Sequence, residues 1–185
     1  TKKLFYVTLV ISIIVQLFTG VAGIGALFVK IPGEVNLIRQ LLMLEVIVQM
    51  VEGMFYFWLA YNYNKSVNIT PERYLDWVIT TPTMLVTLML YLIYLDKSEK
   101  VTNDEELDFF KLTKDNTNVI VPVLLLNWLM LLFGYLGEMK IIPILTGVAL
   151  GFIPFFLLFY LIYKHYYSEI GGTLFWYFWF FWSLY

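Results

Sequence analysis

From Leu4 to Val29 the chain passes without a charged residue, and this run limits its fold more than any other feature. About 20 apolar residues suffice for an α-helix to cross the hydrocarbon of a bilayer. The pattern returns from about Asn36 to Tyr63, Pro71 to Leu95, Val119 to Leu136 and Ile141 to Tyr163. It returns once more after Gly171-Gly172, in an aromatic run that reaches Tyr185. The first run is too long for the apolar segment of a signal peptide. The chain is 61% hydrophobic and 14% charged, against roughly 45–50% and 25% in soluble domains. The sequence therefore predicts an all-α, multi-pass membrane protein whose first partner is the lipid bilayer.

Several functions are excluded by what the chain lacks. A net charge of −2, with no Lys/Arg stripe among the aromatics, gives nucleic acid no footprint. There is no cysteine, hence no disulfide framework and no thiol chemistry. The one histidine, His165, closes an apolar run without further ligands around it, so no metal site is expected. No enzymatic constellation stands out. The connections on one side of the membrane carry Lys30, Arg39, Lys97, Lys100, Lys111, Lys114 and Lys164, and the other side carries Lys2, Lys3, Lys65 and Lys140. The positive-inside rule then places the N-terminus outside.

Polar residues inside the spans are costly, roughly 2.5–3.5 kcal/mol for an ion on insertion scales, so by default they serve a function. In the first span Thr8, Ser12 and Gln16 recur every four residues as a narrow stripe, and Gly20, Gly23 and Gly25 permit close helix packing. Pro32-Gly33 reads as a turn. The second span carries Glu45, Gln49 and Glu52 on one face, its two carboxylates roughly 10 Å apart along the axis. Pro71 suits the first turn of the third span. Arg73 and Asp76 lie three positions apart there, neighbours on one helical face, with Trp77 beside the acid and Thr80 one turn beyond it. Pro82 interrupts that helix, which membrane helices tolerate when neighbours compensate. The connection from Asp96 to Asn118 is dense in charge and reads as solvated.

The stretch Arg73-Tyr74-x-Asp76-Trp77-x-x-Thr80-Thr81-Pro82 resembles the third helix of microbial (type 1) rhodopsins. Asn127-x-x-Met130 with Gly134-Tyr135-x-Gly137-Glu138 is similar to the fourth helix of that family, and Phe175-Trp176-Tyr177-Phe178-Trp179 with Trp182 to its sixth. The chain as a whole looks most like the short viral rhodopsins of the channelrhodopsin type. The resemblance implies a seven-transmembrane-helix bundle. Residues 1–185 would form one retinal-binding domain holding helices A to F, truncated within helix F, with helix G missing. It implies all-trans retinal bound as a protonated Schiff base on a helix G lysine, since no lysine here lies inside an apolar run.

By that resemblance Asp76 is the counterion and proton acceptor, Arg73 biases its ionisation, and the Thr80 hydroxyl bonds it. Trp77, Thr81, Met84, Met130, Gly134, Trp179 and Trp182 line the polyene, with Gly151 and Phe155 facing the ring end. Trp182 and Ser183 depart from the tyrosine and proline more usual there. Outward proton pumps of the family carry a second carboxylate eleven residues after the counterion; Thr87 stands there, and a threonine is no rapid proton donor. Glu45 is the alternative source of that proton. Acidic linings favour cations, so Ser12, Glu45, Gln49 and Glu52 mark an ion pathway. The expectation is a light-gated channel for monovalent cations or protons, self-association being open to such a bundle. A light-driven outward proton pump comes second and a sensor signalling through a partner third.

Overall fold

The computed structural model describes residues 2–29, 36–62, 68–98 and 107–184. Seven helices and no strand occur among them: α1 (Lys2–Leu27), α2 (Asn36–Asn62), α3 (Thr70–Ser98), α4 (Phe109–Asp115), α5 (Thr117–Glu138), α6 (Ile144–Tyr166) and α7 (Glu169–Leu184). α1, α2, α3, α5 and α6 are long and apolar enough to span a membrane. α7 has 16 residues. The six expected spans correspond to α1–α3 and α5–α7. The seventh helix in the count, α4, is a short addition between the third and fourth spans and not a helix G. The Pro32-Gly33 turn, Lys30, Lys65 and Lys100 lie outside the described residues.

α3 is the axis of the bundle. It packs against α2, α5 and α7, while α1 reaches the bundle through α2. Half of the α3 span is buried, 50% against 6% for α1. Leu85, Met89 and Leu92 of α3 meet Val123 of α5, Leu158 and Ile162 of α6 and Phe175 of α7 in one core. Lipid is as apolar as leucine, so close packing and hydrogen bonds between helices, not apolar burial, must hold such a bundle together. The glycines serve that end. A Cβ on Gly147 would stand 2.8 Å from Phe133 O and 3.0 Å from the Gly137 Cα, so α5 and α6 touch backbone to backbone. Gly23 and Gly20 face Val46 and Gln49 of α2, whereas Gly25 has open space beside it.

The helix ends follow local chemistry. α5 stops where Lys140 takes the left-handed conformation, φ 58°, and Ile141 N–H returns to Leu136 O at 3.0 Å, a C-terminal arrangement that satisfies end carbonyls. Pro143 caps α6 instead of lying inside it, because its ring cannot accept helix on its N-terminal side. Gly171 and Gly172 fall inside α7, not before it. There a Cβ on Gly171 would come 2.7 Å from Leu92 Cδ2, so glycine lets α7 seat on α3.

α4 overturns the expectation of a merely solvated connection. Asp108 caps it by accepting from Phe110 N and Lys111 N. Gln40 of α2 ties it down, donating to Asp108 Oδ1 at 3.3 Å and accepting from Phe109 N at 3.1 Å. That Gln40 bond, with the backbone N–H groups, holds the Asp108 carboxyl below its usual range.

Pro82 shows how the break in α3 is repaired. It has no N–H for the carbonyl four residues back. That carbonyl, Val78 O, accepts instead from the Trp128 indole of α5 at 3.0 Å. Trp128→Phe should therefore cost about 0.6–1.7 kcal/mol, the range of interhelical bonds in a bilayer. In a Pro82→Ala background, where residue 82 regains its N–H, the loss should shrink. Thermal unfolding in detergent measures both, and equal losses in the two backgrounds would contradict the assignment.

Candidate functional site

Helical spacing sets Arg73, Asp76/Trp77, Thr80/Thr81 and Met84 along one side of α3. Asp76 is buried at 8% exposure, as are Thr80 at 1% and Thr81 at 5%. Asp76 Oδ1 is sealed from solvent and has no hydrogen-bond partner among the described residues. A buried ion without partners is expensive, which makes this oxygen the focus of the site.

The neighbours expected to serve it are engaged elsewhere. Arg73 forms its ion pair with Glu138 of α5, Nη1 to Oε1 at 3.6 Å, and its guanidinium lies 5.6 Å from the Trp77 ring centroid. Spacing alone makes residues 73 and 76 neighbours, but the end of α5 brings Arg73 a second acid. Thr80 Oγ1 donates to the backbone O of Asp76 at 3.0 Å and not to its carboxylate. Thr81 Oγ1 donates to Trp77 O at 2.7 Å and accepts from Asn127 Nδ2 at 2.8 Å. Asn127 is fully buried, and this bond ties α5 to α3.

Two cavities flank Thr81 and Trp182. One, of about 200 Å³, lies between α3, α5, α6 and α7 and is lined by Trp77, Thr81, Met130, Gly134, Gly151, Phe155 and Trp182. The other, of about 380 Å³, lies between α2, α3 and α7 and is lined by Glu52, Thr80, Thr81, Met84 and Trp182. The residues expected around an elongated apolar ligand are thus brought together, apart from Trp179. That ring lines a groove on the α6–α7 face with Phe159, Tyr163 and Trp176, its centroid 6.5 Å from that of Phe155.

The polar stripe of α2 meets α1. Gln16 Nε2 donates to Glu52 Oε2 at 2.9 Å, Gln49 bonds the Gln16 side chain and reaches Thr19 Oγ1 at 2.8 Å, and Ser12 bonds Tyr56. Glu45 points the other way along the stripe, to the Thr87 hydroxyl of α3.

Sequence reasoning assigned no role to Glu138, Tyr74 or Asn127. The signals were available in a lone asparagine amid an apolar span and a glutamate closing a glycine-rich turn. Tyr74 matters through Gly134: a Cβ there would stand 2.5 Å from Tyr74 Oη, so glycine lets the ring lie across α5, edge-on to Trp77 and Tyr135.

Residues 7–185 match the model of the bacteriorhodopsin-like protein family, and the chain belongs to that family. In fold it is similar to the crystal structure of viral rhodopsin OLPVRII, with a TM-score of 0.79 and 24% identity over 98% of this chain and 80% of that one. No curated protein matches the sequence. Membership makes this an integral multi-pass membrane protein of a family of retinal photoreceptors and ion transporters, and implies retinal held as a Schiff base. The residues present fit that group: apolar cavities for a polyene, and a buried carboxylate oxygen without a partner for a cation.

Gly134→Ala tests the shape of the first cavity. Its methyl must displace Tyr74, at an overpacking cost of about 1–3 kcal/mol. Adding Tyr74→Phe should recover part of the lost thermal stability, since the nearest remaining ring atom would be 3.4 Å away. Wild-type stability in Gly134→Ala would contradict the geometry.

Proposed function

We propose that the chain is the retinal-binding body of a light-gated cation channel. Retinal is joined through a protonated imine to a lysine outside these 185 residues, because no lysine present lies inside an apolar run. When bound, it supplies a chromophore for visible light and a cationic N–H whose acid strength changes on illumination. Trp77, Thr81, Met84, Met130, Gly134, Gly151, Phe155 and Trp182 hold the polyene, and Trp179 backs the pocket through Phe155. Asp76 balances the cation and accepts its proton. The N-terminus faces outside.

One observation carries the channel. Glu52 borders the cavity that also touches Thr80, Thr81 and Trp182, and it is bonded by Gln16 of α1. The cavity beside Thr81 therefore adjoins the polar α1–α2 contact, through Glu52 to Gln16 and from Gln16 to Gln49. Glu52 lies within electrostatic range of Asp76, and a cation or proton moving between α1 and α2 passes carboxylate and amide oxygens suited to it.

The contact between Glu45 and Thr87 favours a second function, a light-driven outward proton pump. There Glu45 would stand across from the position at which pumps carry their proton donor. Voltage clamp with a light flash separates the two. A channel gives photocurrents that reverse sign with the ion gradient, whereas a pump drives current one way at all voltages. Replacing Glu45 and Glu52 together with Gln should change conductance or reversal potential, and unaltered currents would remove both from the path.

A further inference from the structure

Glu138, the last residue of α5, takes no part in the function proposed above, yet three residues of the first turns of α3 converge on it. Arg73 Nη1 lies 3.6 Å from Oε1, Thr70 Oγ1 donates to Oε2 at 3.3 Å, and the Tyr74 hydroxyl bonds the same carboxylate. Arg73 and Glu138 are each about one-third exposed, 32% and 34%, so the pair is partly shielded from water and less screened than a surface one. Thr70 and Tyr74 are buried and fix the carboxylate in place. Arg73 has two acids within its helical reach or across the bundle, and it is held to the more distant in sequence.

We propose that Glu138 is a positioning residue that keeps the Arg73 guanidinium at the end of α5 and so withholds its charge from Asp76. This rests on Asp76 being the counterion. The charged and titratable groups facing Asp76 are Glu52 and Tyr56 from α2, and Arg73 of its own helix reaches Tyr56; those facing Glu138 are Arg73 and Tyr74, with the Thr70 hydroxyl beside them. With Arg73 paired to Glu138, Asp76 sits beside Glu52 with little positive charge to offset it. Neutralising Glu138 frees the guanidinium, and a nearby cation favours the ionised carboxylate.

The test uses the full-length protein carrying all-trans retinal. Acid that protonates Asp76 shifts the absorption band to longer wavelength, and the midpoint of that shift reports on Asp76. In Glu138→Gln the midpoint should fall by about one pH unit, the lower end of the effect of one nearby opposite charge. Glu138→Asp, which keeps the charge, should restore it. In an Arg73→Gln background, Glu138→Gln should move the midpoint by less than a third as much. An unmoved midpoint, or an equal shift in both backgrounds, overturns the proposal and leaves the counterion assignment standing. A wild-type protein whose band forms but does not respond to acid overturns both. In the retinal-free protein, melting temperatures provide an independent readout. The Arg73→Gln/Glu138→Gln pair should lose no more than the worse single variant, and additive losses overturn the pairing.

Discussion

A carboxylate buried in a lipid-spanning helix must find positive charge, find hydrogen bonds, or give up its own charge. Asp76 stands under that constraint, and the residues around it sharpen the constraint instead of relieving it. Arg73 is drawn to Glu138, Thr80 turns its hydroxyl to the backbone, and Thr81 is taken by Trp77 and Asn127. One oxygen of Asp76 is left sealed and unpartnered among the described residues. In a family whose retinal is held as a Schiff base, the proposed role of such an oxygen is to face the cation that the chromophore brings.

The rest of the bundle makes that arrangement affordable. Without a hydrophobic drive between helices in lipid, α3 is fixed by contacts that need specific residues. Trp128 completes the backbone that Pro82 breaks, Asn127 bonds Thr81, and glycines let α5 meet α6 and α7 meet α3 at backbone distance. These contacts also shape the cavities on either side of Thr81 and Trp182. The polar contact between α1 and α2 is of a different kind. It joins α1, the least buried span, to α2, and Gln16, Gln49 and Glu52 hold it through amide and carboxylate bonds.

The spans, and the gathering of most of the expected residues around two cavities, were legible in the sequence because both depend on local facts. Apolar length sets where a helix can cross, and helical spacing puts Asp76, Thr80, Thr81 and Met84 on one side whatever surrounds them. What could not be read was partner choice, which depends on where other helices arrive. Arg73 looked bound to Asp76 until the end of α5 brought Glu138 beside it. Trp179 shares a motif with Trp182, yet the seating of α7 turns the two rings to different faces. α4 was hidden because charge density around it suggested solvent, whereas Gln40, far away in sequence, ties its first turn to α2. Pro143 and Gly171-Gly172 marked the right neighbourhoods but not the helix ends, since capping geometry and close contacts decided those.

The central claim is that Asp76 is the negative charge opposite the chromophore, and the absorption spectrum of Asp76→Asn in the full-length, retinal-bound protein tests it most directly. A counter-charge holds positive charge near the imine nitrogen; without it that charge spreads along the polyene and the excitation energy falls. With that charge removed, the band should stand at longer wavelength than in wild type, already at neutral pH and without response to acid. A band at the wild-type position, still shifting as acid is added, would contradict it.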